Sequence, residues 1–179
     1  MMQQNLLFAV MILCTIGCKK SNPSGGVLVD LTNIIRIVNK NGQNLLDPST
    51  PGSFKKDDIK IYYLVNGQKT EIFDSKLDAP RQFTTFRVKE DYKMYPNEYM
   101  MQIYSNSKGV IDQNGNEIAT TYIEWNNANT DVIITQLRRS GASVSIDKVW
   151  CNGVVKWDIA STPIIEDTSF PGRFFQIIK

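Results

Sequence analysis

From residue 27 onward, no stretch of about eleven residues carries apolar side chains at the 3.6-residue spacing of a helix face. Instead, short runs rich in Val, Ile, Thr, Tyr and Phe follow one another, the side chains that suit a pleated, half-buried surface. They occupy 27–38, 59–65, 68–73, 83–89, 98–104, 118–125, 131–138, 146–151, 154–158 and 173–178. Polar or proline-containing stretches separate them at 47–58, 77–82, 126–130 and 161–172. A short helical turn is expected near 89–95.

Four Asn-Gly dipeptides punctuate this pattern, at 41–42, 66–67, 114–115 and 152–153. Both residues accept the positive φ of a type I′ turn, so Asn-Gly between two strand-like runs signals a hairpin. The turn at Asn66-Gly67 should oppose Val65 to Gln68 and Ile61 to Ile72. The turn at Asn152-Gly153 should oppose Trp150 to Val155; an unbroken register then puts Trp150, Val155 and Trp157 on one face, with Lys148 opposite Trp157. About ten short strands with close-spaced turns imply an all-β domain, an immunoglobulin-like or transthyretin-like sandwich. The alternative is a lipocalin-type β-barrel, although the G-x-W of lipocalins is missing.

The first 18 residues carry no charged side chain, and 6–16 is almost wholly apolar. A helix of that length covers only about half of a ~30 Å hydrocarbon core, which suits the h-region of a signal peptide rather than a membrane span. Thr15-Ile16-Gly17-Cys18 resembles the lipobox of bacterial lipoprotein precursors, with Thr15 in place of the usual Leu. The resemblance implies a signal peptide over 1–17 and a lipid on Cys18. Residues 19–26, KKSNPSGG, read as a flexible tether, so 18–26 would hold a single domain, 27–179, just off a bilayer. Acyl chains contribute about 0.8 kcal/mol per buried CH₂, so two or three anchor stably. Lys19 is not the Asp that resembles an inner-membrane retention signal in enteric bacteria, which favours the outer membrane. Cys14 leaves with the signal, so Cys151 is the one remaining side-chain thiol and the domain is held together without a disulfide.

Composition narrows the chemistry. Histidine is absent, which excludes Ser-His-Asp and Cys-His nucleophile systems and His-ligated zinc. A formal net charge of +2, with scattered basic residues, is no footprint for nucleic acid. The Ser-x-x-Lys matches at Ser53/Lys56, Ser105/Lys108 and Ser145/Lys148 lack a helix start to bring hydroxyl and amine together; on a strand, residues three apart face opposite ways. Asp112–Glu117 spaces oxygen side chains as calcium loops do, but its Gly115 stands fourth rather than sixth, and a hairpin explains it better. The adjacent carboxylates Asp57/Asp58, Glu90/Asp91 and Glu166/Asp167 read as solvated loops, whereas a glycosidase needs two facing each other across a cleft. No catalytic residue, metal ligand or cofactor is therefore expected. The tryptophans are the candidate ligand contacts: Trp125 before the polar loop, and Trp150 and Trp157 around the last Asn-Gly turn. Burial in the core is the commoner fate of such residues.

The segments IVNKNGQNLLDP (37–48), DIKIYYLVNGQK (58–69), TYIEWNNANTDVI (121–133) and KVWCNGVVKWD (148–158) resemble small cell-envelope lipoproteins of Bacteroidota. That resemblance implies a β-sandwich in the envelope and transfers no catalytic residue. The expected function is a lipid-anchored, non-catalytic module that binds a glycan or an envelope protein, with the membrane as partner through Cys18. The alternatives are an assembly accessory of an envelope complex, offering the apolar strand near 174–178, and a carboxylate-dependent hydrolase.

Overall fold

The computed structural model describes residues 26–161 and 173–179. Signal, lipobox, Cys18 and nearly all of the tether lie outside those residues, as does Glu166/Asp167. Twelve strands form in chain order: β1 (Val29–Asp30), β2 (Thr32–Val38), β3 (Lys60–Val65), β4 (Gln68–Glu71), β5 (Phe83–Arg87), β6 (Tyr99–Tyr104), β7 (Val110–Ile111), β8 (Glu117–Asn126), β9 (Asn129–Ser140), β10 (Ser143–Cys151), β11 (Val154–Asp158) and β12 (Arg173–Ile178). They make two mixed sheets, neither closed on itself, so the domain is a β-sandwich and the barrel alternative is overturned. The larger sheet runs β1-β10-β9-β8-β3-β4, with β11 also on β10 and β7 also on β8; the smaller runs β12-β2-β6-β5.

Alternation explains the core. In β8 and β9 the buried residues fall at every second position, as expected of strands with one face on a core and one toward water, and β10 does the same on either side of Asp147. Inward residues include Ile35, Ile37, Ile61, Met101, Ile103, Ile123, Ile133, Ile146 and Val149, each no more than 1% exposed. At about 1.5–3 kcal/mol per buried large apolar side chain, this layer offsets ordering entropy without a cross-link. The free thiol Cys151 lies within it.

The hairpin registers follow the turns. Val65 pairs with Gln68, and the Ile72 N–H donates to the Ile61 carbonyl at 2.9 Å. Trp150 pairs with Val155. Asn66 and Gly67 have φ of 52° and 78°, Asn152 and Gly153 of 50° and 80°, the paired positive values of a type I′ turn.

Three expectations differ. The run 27–38 is two strands, because the chain crosses from the larger to the smaller sheet at the buried Leu31. Strands β8 and β9 extend into the stretch 126–130 expected as a loop, and β9 and β10 run past the ends expected for them, closed by the two-residue turns Asn127-Ala128 and Gly141-Ala142. Residues 89–97 form successive turns rather than a helix; Tyr92, Met94 and Tyr95 pack over Ile34, Val88 and Met100, covering the outer side of the smaller sheet. The one 3₁₀ turn among the described residues is at Lys56–Asp58.

The C-terminal strand is paired rather than bare. It runs parallel to β2 in unbroken register from Arg173↔Asn33 to Ile178↔Val38. Each end is also tied across the sandwich. Arg173 pairs with Asp30 and lies 5.4 Å from the Trp157 ring centre; Lys179 Nζ lies 2.6 Å from Asp131 Oδ2 and 5.9 Å from the Trp125 ring centre.

Candidate binding face

The three tryptophans have three different environments. Trp125 is 0% exposed; its indole N–H donates to Asp131 Oδ2 at 2.6 Å, and its ring stacks on Phe54 with centroids 5.3 Å apart. It is a core residue with no surface for a ligand, which corrects its candidacy. The reason is local: Ala119, Thr121, Ile123 and Trp125 fall at every second position of β8 and all face inward, and the buried Asp131 on the facing strand satisfies the indole. Trp157 also turns inward. It pairs with Val149, packs on the main core and lies under Arg173. An unpaired Lys156 between Val149↔Trp157 and Trp150↔Val155 breaks the expected face, so Lys148 opposes Asp158 rather than Trp157. A bulge of this kind reverses the facing of every later side chain.

Trp150 alone of the three faces outward, half-exposed, between Ile134 on β9 and Val155 on β11. Its neighbours form rows across the outer face of the larger sheet. One row is Tyr62, Tyr122 and Val132, set by the pairs Tyr62↔Tyr122 and Tyr122↔Val132. The next is Thr120, Ile134, Trp150 and Val155; the third is Ile118, Gln136, Lys148 and Asp158. An outer face would ordinarily alternate toward polar residues. Here it carries an aromatic and aliphatic band instead, all of it partly exposed.

Polar groups border the rings. Lys69 Nζ sits 4.2 Å from the Tyr62 ring centre and 5.2 Å from that of Tyr122, and 3.6 Å from Glu124 Oε2. Burial and the neighbouring Glu124 and Glu71 carboxylates push the Tyr62 phenol up, so it stays neutral and can donate a hydrogen bond. At the other border, Lys148 Nζ is 2.8 Å from Asp158 Oδ2 and 5.3 Å from the Trp150 ring centre. Sequence reasoning missed Tyr62, Tyr122, Lys69 and Glu124. The signal was available: the Asn66-Gly67 register fixes Tyr62 opposite Glu71, on the face opposite to Ile61.

Among the described residues, the catalytic alternatives find no assembled group. The bulge at Asp147 puts Ser145 and Lys148 on the same face, against the expectation that they diverge, but the Lys148 amine is held by Asp158. Ser105 is buried and accepts from Asn33 Nδ2 at 2.9 Å. Asp57/Asp58 and Glu90/Asp91 are exposed. The Asp112 carboxylate accepts from the N–H groups of Asn114 and Asn116, both at 2.9 Å, which holds it below the usual carboxylate range; it caps its own turn. Burial foremost, with the Asp131 carboxylate adding to it, pushes the Cys151 thiol up to about 11, leaving it unreactive.

The fold and this face together define a two-sheet β-sandwich without a disulfide among the described residues, carrying a half-exposed aromatic band on its larger sheet. No protein-family model, curated protein or solved structure matches the chain.

Proposed function

We propose that the protein is a lipid-anchored, non-catalytic binding module of the bacterial cell envelope, held at the outer membrane through Cys18, and that it binds glycan on the outer face of its larger sheet. The observation that carries the reading is the band Tyr62, Tyr122, Ile134 and Trp150, bordered by Lys69–Glu124 and Lys148–Asp158. A sugar ring offers a C–H face to an aromatic ring and hydroxyls to flanking charged groups, and this surface alternates the two. An aromatic band left partly wet is also unusual on a sheet whose other face already supplies the core.

The test is binding of fluorescent envelope polysaccharides to the soluble domain and to its Trp150→Ala and Tyr122→Ala variants. Each substitution should weaken binding at least about tenfold, about 1.4 kcal/mol, with the circular dichroism spectrum unchanged. Glycan binding indifferent to both variants would remove the assigned face. Binding confined to an envelope protein, and lost in Trp150→Ala, would keep the face and replace its ligand.

A further inference from the structure

A second surface lies along the open edge of β5, which among the described residues pairs only with β6. The register runs from Phe83↔Ile103 to Arg87↔Tyr99. At one end the Gln82 carbonyl accepts from the Tyr104 N–H at 2.9 Å; at the other the Val88 N–H donates to the Glu98 carbonyl at 2.8 Å. Hydrogen-bonded pairs alternate in an antiparallel ladder, so the even residues spend their backbone groups on β6. The N–H and C=O groups of Phe83, Thr85 and Arg87 therefore point to the open edge.

Two recesses sit beside that edge, one at each of two alternate residues. The first, about 210 Å³, is floored by Phe73, Pro80 and Phe83 and rimmed by Arg81, Asp57 and Asp78; the second, about 300 Å³, is lined by Leu46, Phe54, Ile59 and Thr85, with Lys55 and Lys56 at its wall. Lys56 borders both. Phe73 is 61% exposed although it is a large apolar side chain. No acidic side chain lines the second recess, and neither Lys55 nor Lys56 makes an ion pair among the described residues. The edge strand β4 of the larger sheet offers none of this: it is four residues long, and all four, two of them charged, are exposed, which is how sheets discourage pairing.

We infer that the β5 edge accepts an extended segment of a partner protein as an added strand, seating an apolar side chain at Phe83 and an acidic one at Thr85. Main-chain bonds to an open edge give affinity, and recesses at alternate residues read every second side chain. Lys55 and Lys56 supply the preference for acid. This edge is on the smaller sheet and shares no residue with the aromatic band, so either assignment can fail without the other.

The probe is a set of labelled seven-residue peptides of threonine with phenylalanine at position two and glutamate at position four, made in both orders and read by fluorescence anisotropy. Companions carry lysine for glutamate, or N-methyl groups on the backbone. Thr85→Pro removes one outward N–H without costing a bond to β6, a substitution edge strands tolerate, so the domain should keep its circular dichroism and melting temperature. The glutamate peptide should bind saturably, lose at least about tenfold on N-methylation and in Thr85→Pro, and prefer lysine at position four in the double variant Lys55→Glu/Lys56→Glu. No saturable binding below about 1 mM, or binding indifferent to N-methylation and to Thr85→Pro, would overturn the inference.

Discussion

Replacing Lys179 with methionine tests the tie between the C-terminal strand and the larger sheet. Asp131 is 2% exposed, and both of its oxygens are engaged: Oδ2 by the Trp125 indole at 2.6 Å and Lys179 Nζ at 2.6 Å, Oδ1 by Asn152 Nδ2 at 2.7 Å. Removing one partner of a buried ion pair typically costs about 3–5 kcal/mol, because the other charge stays buried. The Lys179 side chain is 16% exposed, so some water already reaches the pair, and the lower end, about 3 kcal/mol, is expected. For a domain of this size that lowers the melting temperature by about 6–12 °C. The reverse change, Asp131→Asn, should cost about 1–3 kcal/mol: an amide oxygen can still accept from the indole and the lysine can extend its ammonium to solvent, but the new NH₂ group faces Asn152 Nδ2 and that hydrogen bond is lost. Urea unfolding of the chain from residue 27 onward, followed by tryptophan fluorescence, measures both. The decisive quantity is the coupling: in the Asp131→Asn background, Lys179→Met should cost about 2 kcal/mol less than in the native one. A loss below about 0.5 kcal/mol, or the same loss in both backgrounds, would show that the lysine stem packs and its charge does nothing.

Two further outcomes follow from titrating groups. The Arg139 guanidinium, forming two hydrogen bonds of 2.7 Å, holds the Glu117 carboxyl below the usual range; its stabilisation is therefore present above the unfolded value and lost as pH falls through the folded one. Melting scans from pH 7 to pH 3 should show a step below pH 4.5 that Glu117→Gln removes, worth under about 1 kcal/mol because Arg139 is half in solvent. An unchanged pH profile in that variant would refute the link. Cys151, with its thiol pushed up to about 11 and only 2% exposed, should react with a disulfide reagent at pH 8 only as fast as the domain unfolds, so labelling accelerates with urea; rapid labelling of the native protein would contradict its burial.

Most of the fold was legible because its signals are local. The Asn66-Gly67 and Asn152-Gly153 turns are each decided by two residues whose φ values the backbone allows cheaply, and the pairs beside each turn follow by counting. The sandwich follows from strands with one apolar face. The barrel alternative could not be eliminated from the chain, because closure depends on whether β4, β5 and β12 find partners, a matter of long-range pairing. Strand β7, two exposed residues, has no pattern long enough to read.

The binding face was illegible for a different reason, and the tryptophans show it. Alternation carries a side chain's facing along a strand only while the ladder is unbroken. In β10 the inward residues are Val144 and Ile146, then Val149 and Cys151; the bulge at Asp147 changes the parity, and in an unbroken ladder of the same sequence Trp150 would point into the core. In β11 the extra Lys156 changes it again and sends Trp157 inward. Asp147 is fixed by its partners, the Arg138 guanidinium at 3.1 Å and the Ile159 N–H at 2.9 Å, both from other strands or turns. A bulge is thus stabilised by residues remote from it in sequence, while its consequence, which aromatic ring meets solvent, falls on its neighbours. Deleting Lys156 should remove the bulge and leave Trp157 directly after the outward Val155, still opposite Val149 and still inward. Its fluorescence should then stay unshifted while the hairpin stays intact; a shift to the red would mean that the bulge itself, and not strand parity, decides the side of Trp157.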